Sequence, residues 1–146
     1  MQYVSCYRSG GKLKCSVQRK KIDVNELIEN TRNPEAGAIV IFLGTVRKNS
    51  EDKEIQWLFY EAYEEMVVEE LDRIVKEAVD NYHITDVNLV HRLGRLGIKE
   101  DSVAICVSSP HRKEAFRACQ FIIDEVKTRA PIWKMDITPQ GEKEWH

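Results

Sequence analysis

The spacing of apolar and polar residues predicts three helices. Apolar residues recur every three or four positions in two long segments, which is the periodicity of a helix with one buried side. We predict long helices from Glu64 to Tyr82 and from Ser109, as cap residue, to Pro131, which stops the helix. Asp23 is followed three positions later by Glu26, a capping-box pattern that predicts a shorter helix ending near Asn30.

The two long helices should each bury one apolar stripe. The first stripe comprises Val67, Val68, Leu71, Ile74, Val75, Ala78 and Val79. The second comprises Ala115, Phe116, Cys119, Ile122, Ile123 and Val126. The dense carboxylates between Glu64 and Glu77 are predicted to form the solvated side of the first helix.

Strands occupy most of the remaining chain. The continuous apolar run Ala38–Leu43 is rich in β-branched residues and predicts a central strand. Further strands are predicted at Ser16–Ile22, Ile55–Tyr60, Val87–Leu93, Val103–Val107 and Ile132–Thr138. Because several strand pairs lack room for a helical crossover, we predict a two-layer α+β fold with a mixed, largely antiparallel sheet.

The N-terminal segment has the pattern of a β-hairpin. Gly10 and Gly11 suit a two-residue turn, and counting outward pairs Arg8 with Leu13 and Cys6 with Cys15. A disulfide could form across the second pair, but two reduced thiols are the preferred expectation. Cys106 and Cys119 are interpreted as small core residues.

Length and charge narrow the class of protein. A chain of 146 residues predicts one domain, 1–146, with residues 1–16 as a hairpin appendage. Its 22 basic and 24 acidic residues give a net charge of −2, which argues against a nucleic-acid binder. No apolar run approaches the roughly 18 residues of a membrane span, and we see no signal peptide, so a cytoplasmic protein is expected. Cysteine and histidine spacings indicate no metal site.

One basic cluster opens the second long helix. His111 and Arg112 lie where the helix dipole disfavours positive charge, at a cost of about 0.3–1 kcal/mol per charge. An anionic ligand held by the free backbone N–H groups would reverse that preference. The alternative is that solvent screens these cations.

Three further basic residues are candidates for a functional site: one arginine in a loop and two lysines. Arg47 follows a predicted buried strand, where scaffolds often present binding groups, although a lone loop arginine is usually only solvated. Lys127 lies on the shoulder of the second apolar stripe, where desolvation would make its amine a usable acid, base or nucleophile. A lysine extending to solvent at a helix C-terminus is the simpler interpretation of these residues alone. Lys134 lies in the last predicted strand, with no partner evident.

Taken together, five segments occur in an order and spacing that resemble the catalytic (large) subunits of molybdopterin synthase. They are Gly37–Arg47, Tyr60–Tyr63, His91–Gly94, Ser109–Arg112 and Lys127–Lys134. The run K-T-R-A-P-I-W-K is long and unusual, which makes the resemblance specific. The resemblance covers roughly Val17 to Trp145 and excludes the hairpin.

The resemblance implies a fold, a reaction and partners. The fold is of the α/β-hammerhead type, and the enzyme is a sulfurtransferase without a cofactor or metal. It transfers sulfur from a thiocarboxylate on the Gly-Gly tail of a small ubiquitin-like carrier subunit to cyclic pyranopterin monophosphate, forming the molybdopterin dithiolene. The implied assembly is a homodimer that becomes a heterotetramer with two carriers.

The resemblance also implies residue roles. Lys127 corresponds to the essential lysine and Lys134 to the second active-site lysine. The positions implied to bind substrate are Thr45, Val46, Arg47, His111, Arg112, Lys127, Lys134, Met135 and Asp136. If one helix carries both Arg112 and Lys127, these residues are about 22 Å apart. A shared pocket would then need two subunits, unless His111 and Arg112 serve only their own helix.

Two other functions are considered. A lysine enzyme could form a Schiff base through Lys127 on a phosphorylated carbonyl compound. A non-catalytic receptor could simply hold the tail of a ubiquitin-like carrier.

Overall fold

The structure is a computed structural model that describes residues 3–5, 8–9, 12–13 and 15–146. The helices are α1 (Val24–Thr31), α2 (Glu64–Asn81) and α3 (Arg112–Arg129). The strands are β1 (Tyr3–Ser5), β2 (Arg8–Ser9), β3 (Lys12–Leu13), β4 (Cys15–Gln18), β5 (Ala38–Thr45), β6 (Asn49–Ser50), β7 (Lys53–Glu54), β8 (Trp57–Ala62), β9 (Asp86–Arg92), β10 (Gly94–Gly97), β11 (Asp101–Ser109), β12 (Ile132–Ile137) and β13 (Lys143–Trp145).

A five-stranded sheet forms the centre of the fold, in the order β1-β4-β9-β11-β5. Its pairings are antiparallel except for the parallel pair β4–β9. Successive residues of β11 face opposite sides. Ile105 and Val107 join the core beneath α2 and α3, whereas Ala104 and Cys106 pack with Leu27 of α1. Helices therefore cover both faces of this sheet.

A second sheet has four antiparallel strands in the order β10-β8-β12-β13. A small core at this sheet contains Val46, Ile55, Leu58 and Leu96, all buried. Because Val46 lies just beyond β5 of the first sheet, this core ties the end of β5 to the second sheet.

The predicted α+β class with three helices and largely antiparallel pairing is confirmed. Asp23 caps α1 as predicted, accepting a hydrogen bond of 3.1 Å from the backbone N–H of Glu26. In the described part of the chain, no helix is long and apolar enough to cross a membrane. The single-domain assignment with an N-terminal appendage stays a prediction, although β1 adds a strand to the first sheet.

The prediction of a central strand at Ala38–Leu43 is wrong, because β5 lies at the edge of its sheet. Its apolar run has a different cause. Val40 and Phe42 pack toward α3, while Ile39 and Ile41 pack toward α1. A continuous apolar run indicates cover on both faces of a strand and does not indicate its place in the strand order.

The second long helix begins later than predicted. β11 continues to Ser109, and α3 starts at Arg112 with His111 as the N-cap residue. Ser109 does not cap the helix, because its hydroxyl donates to the backbone carbonyl of His111. The helix ends at Arg129, just before Pro131, as predicted.

Two predicted stripe residues lie outside the core. Phe116 of α3 is 61% exposed and Val79 of α2 is 41% exposed. Four short strands, β6, β7, β10 and β13, also escaped prediction, because none has the alternation that marks a half-buried strand. Glu70 and Glu77 were predicted to be solvated on the outer side of α2, but both accept hydrogen bonds from Arg129 of α3.

The cysteines divide as predicted into a core pair and an N-terminal pair. Cys106 and Cys119 are buried free thiols, and burial raises the pKa of Cys119 to about 11. β2 and β3 pair Arg8 with Leu13 as predicted. Cys15 is disulfide-bonded, contrary to the preferred expectation of a reduced thiol. Its predicted partner Cys6 lies outside the described residues.

Candidate active site

A cleft of about 640 Å³ lies between the two sheets and the last turns of α3. Four residues singled out in the sequence line this cleft: Thr45, Arg47, Lys127 and Lys134. They come from three separate parts of the chain, so the fold is what brings them together.

Val46 holds the rim of the cleft in place. Its side chain is buried in the second core. Its backbone N–H donates to the carbonyl of Glu100 at 3.0 Å, and its carbonyl accepts from Lys99 N–H at 2.7 Å. Val46 therefore does not line the cleft, but it fixes Thr45 and Arg47 on either side of it.

Lys127 lies on the last turn of α3. Ile123 and Val126 of the same helix are buried and also line the cleft. Lys127 itself is exposed, so the desolvation considered from the helical periodicity is not observed. Its ammonium is open to an anion that enters the cleft.

Lys134 and Asp136 share one face of β12. They lie opposite Tyr60 and Leu58 of β8, both of which line the cleft. The Lys134 Nζ is 3.8 Å from Asp136 Oδ1, and Asp136 is buried. Met135 lies between them and faces the other side of the strand.

A buried histidine and a half-buried tyrosine form one wall of the cleft. The rings of His91 and Tyr60 meet edge to face, with 5.1 Å between centroids. His91 Nδ1 lies 2.7 Å from the carbonyl of Arg92, and a carbonyl only accepts, so Nδ1 carries the hydrogen and Nε2 is an acceptor. Burial lowers the pKa of His91 to about 4 and raises the pKa of Tyr60. His91 is therefore neutral at pH 7.

His111 and Arg112 are not part of this cleft. They are exposed at the opposite end of α3. α3 is continuous, so Arg112 lies about 22 Å from Lys127 along the helix axis. The structure thus brings Arg47, Lys127 and Lys134 together in the cleft. Within one subunit, it leaves His111 and Arg112 far from them.

Residue-level reasoning missed Phe42, Tyr60, His91 and Ser102, which also line the cleft. Tyr60 and His91 do lie in segments that carried the family resemblance. A histidine near the end of a predicted strand was the available signal, but only the fold shows that it opens onto a cleft.

Comparison with known proteins gives one consistent family. The model of the MoaE protein family matches residues 17–129. A relative from Thermoplasma volcanium, named molybdopterin synthase catalytic subunit, is 47% identical over 130 residues, which is 89% of this chain and 95% of the relative. A relative of the same name from Pyrococcus abyssi is 44% identical over 134 residues, covering 90% of each chain.

Solved structures agree with the sequence relatives. Molybdopterin synthase from Staphylococcus aureus superposes with a TM-score of 0.84 at 37% identity, over 89% of this chain and 94% of that chain. A chain from a complex of subunits 1 and 2 of molybdopterin-converting factor, from Helicobacter pylori, gives a TM-score of 0.73 at 26% identity. It covers 88% of this chain and 87% of that chain.

The fold and the cleft define an α+β enzyme with a cationic site suited to anionic reactants. The chain belongs to the MoaE family, whose curated members are named molybdopterin synthase catalytic subunits.

Proposed function

We propose that the cleft is where sulfur passes from a thiocarboxylated carrier to cyclic pyranopterin monophosphate, forming the molybdopterin dithiolene. The observation that carries this proposal is the charge of the cleft. Arg47, Lys127 and Lys134 line it, and no carboxylate lies among its described lining residues. The pocket therefore suits reactants that are both negatively charged.

The chemistry requires such a pocket. A phosphate ester and a thiocarboxylate repel each other, and fixed cations offset that repulsion at short range. The planar guanidinium of Arg47 can donate two parallel hydrogen bonds to phosphate oxygens. The amine of Lys127 can accept protons, and its ammonium form can supply them, as the thiocarboxylate sulfur bonds to the pterin and water hydrolyses the resulting thioester to release the carrier carboxylate. We assign Lys134 to the same group of cations as Arg47 and Lys127, and we call these three residues the cationic cradle.

The other residues that the resemblance implies to bind substrate contribute to the cleft in different ways. Thr45 offers a hydroxyl at the rim, and Asp136 contributes through its contact with Lys134. Val46 acts through its backbone hydrogen bonds, which hold the rim. Met135 faces away from the cleft on β12, so we assign it a supporting role only.

The sulfur donor is proposed to be a small ubiquitin-like carrier with a Gly-Gly thiocarboxylate. The Helicobacter pylori neighbour is a complex of two subunits of molybdopterin-converting factor, which supports a partner of this kind. A thin Gly-Gly tail can enter a cleft that also holds a pterin, because glycine has no side chain.

His111 and Arg112 enter this proposal through a second subunit. They lie too far from Lys127 to share a ligand with it in one chain. A two-fold homodimer would let each cleft take His111 and Arg112 from the mate. Two clefts and two carriers then give a heterotetramer.

In vitro conversion tests the function directly. The purified chain is mixed with cyclic pyranopterin monophosphate and a thiocarboxylated carrier, and the dithiolene product is measured by mass spectrometry. Conversion requires the thiocarboxylate, so a carrier with an ordinary carboxylate is the control. Carrier binding without product would support a receptor, and borohydride trapping of substrate on Lys127 would support a Schiff-base enzyme.

The expected cytoplasmic location stays a prediction. Fractionation of the source cells, with this chain followed by immunoblotting, would test it.

A further inference from the structure

His146 lies beside the cleft lysine of β12. The two residues exchange backbone hydrogen bonds: His146 N–H donates to the Lys134 carbonyl at 2.6 Å, and Lys134 N–H donates to the His146 carbonyl at 3.3 Å. The imidazole Nε2 of His146 lies 2.7 Å from Asp136 Oδ2. A carboxylate only accepts, so Nε2 donates in this contact.

Asp136 is held unequally at its two oxygens. The residue is 3% exposed, and Oδ2 accepts the hydrogen bond from His146. Oδ1 is buried and has no hydrogen-bond partner within the described residues. The Lys134 Nζ is 3.8 Å from Oδ1, which is an ion pair but too long for a hydrogen bond.

This geometry leaves Lys134 loosely paired. A buried carboxylate without enough donors is costly, and Oδ1 would gain by closing on the ammonium of Lys134. The contact with His146 satisfies the other oxygen and holds the carboxyl group in place. Lys53, another cation near Asp136, is itself paired with Glu144 on β13.

We infer that His146 is a positioning residue for Lys134. By holding Oδ2 of Asp136, it keeps the carboxylate from closing on the ammonium of Lys134, which stays available to an anion in the cleft. The catalytic meaning of this arrangement rests on the proposed function, because that function assigns Lys134 to the cationic cradle.

The first test does not need activity. The rate of reductive methylation of each lysine is measured by mass spectrometry in wild type, His146→Leu and His146→Gln, with Lys127 as the internal reference. In His146→Leu, Asp136 closes on Lys134, and methylation of Lys134 relative to Lys127 falls about tenfold, because a directly paired ammonium offers less free amine. His146→Gln keeps an N–H donor and stays near the wild-type ratio.

The second test uses conversion of the pterin. His146→Leu lowers kcat on the order of tenfold, because the lysine is displaced from its working position. The KM for the carrier changes little, since Asp136 is buried away from solvent. His146→Gln restores most of kcat. His83→Leu, which changes an exposed histidine after α2, leaves both constants unchanged.

The outcomes separate this inference from the proposed function. If wild type makes no dithiolene, the function fails, while the methylation ratio still decides whether His146 controls Lys134. An unchanged ratio in folded His146→Leu overturns the inference. So does a His146→Gln variant that is as impaired as His146→Leu, since the loss would then not depend on the donated hydrogen bond.

Discussion

Lys127 projects from the last turn of α3 with its side chain exposed, so truncation removes few packing contacts. We expect Lys127→Ala to change the free energy of unfolding by less than about 0.5 kcal/mol. Sulfur transfer should fall about 100-fold or more, because a fixed charge and a proton carrier are both lost. Urea unfolding and product formation measure the two effects.

Lys76→Ala is the matched control for this change. Lys76 is likewise an exposed helical lysine, on α2, and does not line the cleft. Its replacement should leave conversion unchanged. Retention of more than half the activity in folded Lys127→Ala would remove Lys127 from the proposed mechanism.

His91 makes stability depend on pH. Its pKa is lowered from 6.5 to about 4 by burial, so the unfolded chain binds a proton more readily than the folded chain. The folded protein therefore loses stability as the pH falls from about 6.5 toward 4. At pH 5 the loss from this residue is about 2 kcal/mol relative to pH 7. Replacing it by Gln should remove that part of the slope.

The measurement compares urea unfolding of wild type, His91→Gln and His83→Gln at pH 7 and pH 5. The quantity to compare is the change in the free energy of unfolding between pH 7 and pH 5, because a buried substitution also shifts the absolute stability at both pH values. The exposed His83 should keep the wild-type slope when replaced. If His91→Gln loses as much stability between pH 7 and pH 5 as wild type does, other groups cause the acid sensitivity.

Arg129 joins the two long helices. It donates to Glu70 at 2.7 Å and to Glu77 at 2.7 Å, both on α2, and to Glu125 of its own helix at 3.1 Å. We expect Arg129→Leu to lower the free energy of unfolding by about 1–3 kcal/mol, because charged hydrogen bonds to three carboxylates are lost at a partly exposed site. The loss should shrink in high salt.

Arg129→Lys provides the comparison for this network. A lysine keeps the charge but cannot match the planar fork that spans Glu70 and Glu77. Its stability should lie between those of wild type and Arg129→Leu in urea unfolding. Equal stability of all three proteins would mean that the network contributes nothing measurable.

Elements with a local signal could be predicted from the sequence. The bounds of α2, the Asp23 cap and the stop at Pro131 depend on periodicity or on neighbouring residues. The edge position of β5 could not be predicted, because the order of strands depends on contacts distant in the chain. Glu70 and Glu77 resembled a solvated face for the same reason: their partner, Arg129, is more than fifty residues away.

Some residues of the candidate site could likewise be predicted from the sequence, and others could not. Arg47, Lys127 and Lys134 were singled out from the sequence, and family resemblance added their roles. Their meeting in one cleft required the fold. His91 and the contact between His146 and Asp136 could not be predicted, because burial and cross-strand geometry create them.

At the scale of the whole molecule, α3 raises a question of assembly. It carries Lys127 at the cleft and Arg112 about 22 Å away, at its other end. If both serve one substrate, each cleft must combine Lys127 of one subunit with Arg112 of its mate. If Arg112 serves only its own helix, every cleft is complete within one chain.

Mixing two inactive variants distinguishes these arrangements. Lys127→Ala and Arg112→Ala are combined in equal amounts and allowed to exchange subunits, which native mass spectrometry confirms. Half of the dimers are then mixed, and each mixed dimer has one cleft with both defects and one intact cleft. About a quarter of all clefts are intact, so about a quarter of wild-type activity should return.

The control mixes Lys127→Ala with Lys134→Ala. Both lysines line the same cleft from one chain, so each cleft in a mixed dimer keeps one defect. No activity should return, even though exchange is equally complete. Recovery with Arg112→Ala but not with Lys134→Ala would place Arg112 in the mate's cleft. Failure of both mixtures would exclude the shared cleft, because an intact Lys127 and Arg112 would then meet in one dimer without restoring the reaction.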